Sequence, residues 1–391
     1  MGANETLRIG LLALLPLGLL AVLLAAIVEL DPAESLRGEA PPVEDLVFER
    51  LQLERGRIVI TVFNDGPDPV QISQVMVDEA YWQFSQEPAG ELRHLDRARI
   101  TLPYPWVEAE AHEVVLVSAS GVTFAHEIEV ALETPRPSGR AFLLFALIGL
   151  YVGVLPVALG LLWYPLVRRL GRSGLDFVLA LTVALLVFLL VDTVEDGLEA
   201  AEAVAESLQG VVLFSLVAVL AFLAIETLGK RLELSRGAAG TAWVSALLVA
   251  IGIGFHNFGE GLAIGAAFSL GELTLGTLLI LGFTLHNTTE GLAIVAPLAK
   301  ERVAVVALAW LGLIAGAPTI LGAWLGGFVY SPIWSVVFLA VGAGAIAQVV
   351  VQITRGTAGE RRLGDIMASR AVFLGLVAGF GIMYVTGMLI G

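Results

Sequence analysis

The chain has 391 residues, 57% of them hydrophobic and 15% charged, with a mean hydropathy of +0.85. A soluble protein of this length carries more charge, so the composition marks a polytopic membrane protein. The net charge of −15 offers no basic patch for nucleic acid, and the absence of cysteine excludes disulfides and thiolate metal ligands.

Residues 7–28 form the first apolar run, about the length of a spanning helix, and Ala25-Ala26-Ile27 is a poor cleavage site. Residues 1–30 are therefore expected to be an uncleaved signal anchor. Residues 31–139 regain charge and proline. The β-branched runs Arg57–Phe63 and Val114–Val117 predict strands, as do Val70–Val77, Arg99–Leu102 and Thr123–Leu132. Asn64-Asp65-Gly66-Pro67 predicts a turn. Short strands at this spacing suggest an all-β sandwich, immunoglobulin-like in size. Trp82, Tyr104 and Trp106 are expected in its core. His94, His112 and His126 lack ligand spacing and are read as exposed or capping residues. Pro135–Gly139 is the linker from the sandwich into the membrane.

From residue 140 to 391, eight apolar runs succeed one another: 141–167, 175–197, 209–229, 241–269, 273–298, 303–328, 332–353 and 369–390. Arg168, Arg169 and Arg172 come after the first, Lys230, Arg231 and Arg236 after the third, Lys300 and Arg302 after the fifth, and Arg355, Arg361 and Arg362 after the seventh. The alternate connections lack Lys and Arg. The positive-inside rule then places the sandwich and the C-terminus outside the cell membrane and residues 1–6 in the cytoplasm. The expected fold is an all-α polytopic membrane bundle of eight helices, preceded by the anchor and an extracellular β sandwich.

After the second run, Asp192, Glu195, Asp196, Glu199, Glu202 and Glu206 recur at spacings of three and four. On a helix they form one acidic stripe, with Asp192 deepest. It is either a solvated face or a mouth that concentrates cations, with Asp192, Glu195, Asp196 and Glu199 as the candidate entrance.

Two stretches stand out. His256-Asn257-Phe258-Gly259-Glu260-Gly261-Leu262-Ala263-Ile264 and His286-Asn287-Thr288-Thr289-Glu290-Gly291-Leu292-Ala293-Ile294 both read H-N-x-x-E-G-L-A-I, inside apolar runs. Ionisable groups there are costly, about 2.5–3.5 kcal/mol for a central charge, and are functional by default. On a helix, His at i and Glu at i+4 share a face, with Asn beside them. Consecutive spans run in opposite directions, so the copies are inverted and can face a midplane site. Imidazole plus carboxylate suits zinc, manganese or iron.

These two helices resemble the fourth and fifth, metal-binding helices of the ZIP (Zrt-, Irt-like) family of divalent metal permeases. The eight runs from 141 to 391, the outside C-terminus and the helix containing Pro318 resemble that family too. The resemblance implies that His256, Glu260, His286 and Glu290 are the primary metal ligands. It implies that Asn257 and Asn287 bind or neighbour a second metal, with Glu290 bridging. The chain departs from the family where Ala317, not Glu, precedes Pro318, and where Gln348 and Gln352 stand on the seventh helix, which often carries a Glu. With no carboxylate at 317, one bound ion is expected. The expected function is transport of a divalent cation into the cytoplasm by alternating access. Zinc is favoured, and iron, manganese, cobalt or cadmium are alternatives. The metal is cargo, no organic cofactor is expected, and the chain is not read as an enzyme, since it lacks H-E-x-x-H. A membrane-embedded metallohydrolase and a metal sensor signalling through the β domain are the rival readings. Lipid and divalent ions are expected partners, while a homodimer and an extracellular partner of the β domain stay open.

Overall fold

The computed structural model describes residues 42–128, 130–236, 241–270, 273–329, 331–358 and 369–388, with positions 15, 18–23, 25 and 26. Most of the expected anchor at 7–28 lies outside the described residues. The chain divides into a unit of Met1–Val43 and one of Glu44–Gly391, which holds both the sheets and the helices.

Among the described residues, eight strands form two antiparallel four-stranded sheets. They are β1 Leu46–Glu54, β2 Arg57–Asn64, β3 Ile72–Val77, β4 Ala80–Trp82, β5 Ser85–Glu87, β6 Arg97–Leu102, β7 His112–Ser118 and β8 Thr123–Ile128. One sheet runs β1-β2-β6-β5 and the other β4-β3-β7-β8. Alternate apolar residues such as Ile58, Ile60, Ile100, Val75, Val77, Val114 and Leu116 fill one core between them. The strand expected at Thr123–Leu132 stops at Ile128, and its residues are mostly exposed. Strands β1, β4 and β5 escape the sequence reading, because β4 and β5 have three residues each and β1 is interrupted by charge. Asn64 turns the chain from one sheet to the other, accepting from Gly66 N and donating to Asp68 O and Leu92 O.

The histidines of the sheets each have a local partner. His94 Nδ1 is 2.9 Å from Gly66 O, and His126 stacks on Phe48. His112, expected at the surface, is buried, because its Nδ1 meets Asp78 Oδ2 at 2.7 Å. Tyr104 donates to the same oxygen. Burial opposes ionisation of Asp78, yet the bonds from Tyr104, His112 and Glu113 N hold its carboxyl below the ordinary range. Burial first, then the Asp78 bond, pushes the Tyr104 hydroxyl up to about 12.

The helices are α1 Gly139–Val167, α2 Arg172–Glu202, α3 Gly210–Arg236, α4 Thr241–Leu270, α5 Leu273–Val295, α6 Val305–Val329, α7 Pro332–Ala358 and α8 Arg370–Gly387. Among the described residues, seven helices are long and apolar enough to cross a membrane, and α8 contains a shorter apolar stretch, Arg370–Val385. Two helices are irregular. Residues Leu150–Val154 of α1 widen into a π-helical turn just before Pro156, and α6 breaks between Gly316 and Pro318. Proline explains both, since it offers no N–H to the carbonyl four residues back.

The helices pack as two groups. In one, α4 lies along α6 and α5 along α1. In the other, α7 lies along α2 and α3, and α8 along α2. Glycine sets the separation inside each group. A Cβ on Gly322 of α6 would sit 2.1 Å from Phe258 O of α4, and one on Gly160 of α1 would sit 2.1 Å from Thr288 O of α5. In the second group, a Cβ on Gly344 of α7 would sit 2.1 Å from Ala218 O of α3. These are backbone-to-backbone contacts with no room to give. Between the groups, along α4 and α7, a Cβ on Gly252 or Gly342 would find ordinary contact at 3.4–3.5 Å, and one on Gly259 would meet only the end of Leu339.

The β sheets are bonded to the helices at one end. Leu53 and Thr134 exchange hydrogen bonds, and four residues later Ser138 caps α1 through Ala141 N. Arg50 donates to Phe328 O near the end of α6, and Asp65 accepts from Ser207 N in the α2–α3 connection.

Replacing Gly322 with Ala should force α4 and α6 apart and cost about 1–3 kcal/mol, as overpacking does. The apparent melting temperature of the purified protein should fall for Gly322→Ala and hold for Gly381→Ala, where nothing lies within 4 Å. Equal melting would contradict the close approach.

Candidate metal centre

The first motif lies midway along α4 and the second within α5. Only two residues separate these helices, so they fold back on one another and bring the copies together inverted. His256, Asn257, Glu260, His286, Asn287 and Glu290 are all buried, none more than 5% exposed. Helical spacing alone puts each His and Glu on one face; the crossing of α4 and α5 brings the two faces together.

Glu260 is the centre. Its Oε1 lies 2.5 Å from His286 Nε2 and 3.2 Å from His256 Nε2. Its Oε2 accepts from Asn287 Nδ2 at 2.8 Å. One ligand atom each from His256, Glu260 and His286 falls within 4.8 Å of the others, a spacing that can hold a metal ion. Glu290, expected among the primary ligands and as the bridging carboxylate, stands outside that tight trio. Its Oε2 accepts from Asn257 Nδ2 at 3.0 Å.

The two asparagines do the same work in mirror fashion. Each donates one amide hydrogen to the other copy's glutamate and the second to a backbone carbonyl. For Asn287 that carbonyl is Val152 O, at 3.1 Å, and for Asn257 it is Ala315 O, at 3.1 Å. Both carbonyls sit at helix irregularities. Val152 lies four residues before Pro156, which has no N–H to offer it. Ala315 is in the last turn before the α6 break, where carbonyls lose their helical partners.

Four buried atoms around the motifs have no hydrogen-bond partner: His256 Nε2, Asn257 Oδ1, Asn287 Oδ1 and Glu290 Oε1. His256 Nε2 is near Glu260 but misaligned for a bond. Every one of the four can offer a lone pair, and an orphaned buried polar group costs about 1–3 kcal/mol. Such a set fits a cation.

Of the acidic stripe, Asp192 and Asp196 are near enough to act electrostatically on His286, and Asp196 on Glu260. A cavity of about 350 Å³ opens between the two helix groups, with Asp196 and Glu199 on one wall and Gly259, beside Glu260, on another. Glu195 is exposed and is not part of that wall. Gln348 points away from the motifs, donating to Glu226 Oε2 of α3.

One contact is absent from the sequence reading. Thr193 Oγ1 of α2 lies 2.9 Å from His256 Nδ1. Its signal was a hydroxyl buried among the acids of an apolar run. The two carbonyls were signalled by Pro156 and Pro318.

No protein-family model matches the chain, and no curated protein matches it.

Asn257→Leu and Asn287→Leu should each strip a donor from a buried carboxylate and from a buried carbonyl. Both variants should melt lower than the parent, at about 1–3 kcal/mol per orphaned group, and by similar amounts because their roles are equivalent. If one variant melts like the parent, the amide concerned does not hold the opposing glutamate.

Proposed function

We propose that the chain is a membrane carrier for a divalent transition-metal cation, zinc first among them, of the ZIP type. The observation that carries this reading is the convergence of two inverted H-N-x-x-E motifs into one buried cluster with four lone-pair atoms unpaired. His256, Glu260 and His286 would hold the ion. Glu290 adjoins, and the free Asn257 and Asn287 oxygens complete the shell. Two imidazoles and two carboxylates balance a divalent charge, so the ion crosses a low-dielectric region nearly neutral. The charge pattern of the connections supports an inward route, with the β sheets and C-terminus outside the cell membrane.

Alternating access has a physical basis in the packing. The site belongs to the group of α1, α4, α5 and α6, whose glycine contacts are too close to shear. Its seam with α7 is looser, with a Cβ on Gly342 still 3.5 Å from the Phe255 and His256 backbone and one on Gly252 3.4 Å from Val349, so the two groups can slide there. The acid-walled cavity lies on that seam and reaches Gly259. It is the mouth of the route in this reading, and the acids attract the cation there. α8 is the eighth span.

Purified protein in sealed vesicles filled with a zinc-sensitive dye tests this. Zinc should accumulate with the parent and fall to background with His256→Ala, Glu260→Ala or Glu290→Ala. Near-normal uptake by Glu260→Ala would overturn the site, and zinc binding without any flux in the parent would overturn the carrier.

A further inference from the structure

We infer that Thr193 is a positioning residue for His256, fixing the imidazole in the tautomer that turns a lone pair toward Glu260. Thr193 has one hydroxyl hydrogen. Its oxygen is 2.7 Å from Leu189 O, a carbonyl that can only accept, so the hydrogen lies there. The same oxygen is 2.9 Å from His256 Nδ1 and has only lone pairs left to offer. His256 must therefore donate from Nδ1, and a neutral ring then carries its lone pair on Nε2. That nitrogen is the one that is buried, unpartnered and 3.2 Å from Glu260 Oε1. The hydroxyl comes from α2 and the ring from α4, so the second helix group sets the chemistry of a side chain in the first.

The consequence for metal binding rests on the function proposed above; the tautomer does not. Nitrogen-15 histidine spectra of the metal-free protein, at about pH 8 where an ordinary imidazole is neutral, report which nitrogen is protonated. Comparison with His256→Gln picks out the His256 signal among the five histidines. The parent and Thr193→Ser should show Nδ1–H, and Thr193→Val should lose that preference. An unchanged spectrum in Thr193→Val, or Nε2–H in the parent, overturns the inference. Zinc affinity of the detergent-purified protein should drop about 10- to 100-fold in Thr193→Val and recover in Thr193→Ser, as for other hydrogen-bond partners of metal-binding histidines. If no form binds zinc, the functional reading fails while the spectra still decide the tautomer.

The junction of sheets and helices carries an independent inference, which also rests on the proposed function. We propose that the β domain moves with the α1/α4/α5/α6 group and that the Asp65–Ser207 contact is a latch to the other group. The sheets are tied to the linker just before α1 by the Leu53–Thr134 pair and to α6 by Arg50 on Phe328 O. Asp65, accepting from Ser207 N at 3.1 Å, reaches across to the α2–α3 connection. Asp45 and Glu206 lie close enough to bring further acidic charge to this contact. Transport would then require it to open.

The chain has no cysteine, so a pair introduced as Asp65→Cys with Ser207→Cys is free of background. Oxidation should cross-link the pair and abolish zinc uptake into vesicles, with recovery on reduction. Full uptake by the cross-linked protein, or failure of the pair to cross-link, would overturn the latch. A parent that carries no zinc would instead sink the functional reading.

Discussion

A carboxylate buried beside two imidazoles and bonded by one of them, inside helices apolar enough to cross a membrane, is the constraint on which the rest of this structure depends. Glu260 is buried, and an unpaired buried charge is prohibitively costly. Its compensation comes from the inverted copy of its own motif: His286 meets one oxygen and Asn287 the other. The reciprocal bond from Asn257 to Glu290 makes the pair of motifs a single hydrogen-bonded unit. The asparagines in turn need acceptors for their second hydrogens. The irregular turn of α1 and the break in α6 provide them, so the prolines of distant helices serve the same cluster.

This arrangement demands that four helices approach closely and stay there. Glycines on α1, α4, α5 and α6 permit backbone contact that no other residue would allow. The second group reaches the cluster through the Thr193 hydroxyl and the acids of α2, and through α7, whose Gly342 lies against the backbone of Phe255 and His256. Both groups are held by close backbone contacts, and packed bodies of this kind shift as units rather than deform.

Much of this was legible in residues. The repeated motif announced the site because the membrane makes a buried His or Glu expensive, and the six side chains it named are buried together. Hydropathy found the long helices for the same reason. The strands of the larger β runs followed from β-branching, whereas β4 and β5 were too short to show a pattern. Sequence could not say that Glu290 stands apart from the His256–Glu260–His286 trio, because that depends on how α4 crosses α5. Thr193 showed only as a hydroxyl among the acids of an apolar run, and its role is set by a neighbour 63 positions away. The bond between Asp65 and Ser207, like that between Arg50 and Phe328, joins segments whose chemistry is unremarkable on its own.

If the unpaired atoms of the two motifs hold one divalent cation, anomalous diffraction at the zinc edge from zinc-soaked crystals will locate it. One dominant peak is expected, about 2.0–2.2 Å from ligand atoms of His256, His286 and Glu260. No peak there, or two equally occupied peaks flanking Glu290, would contradict the single-ion site.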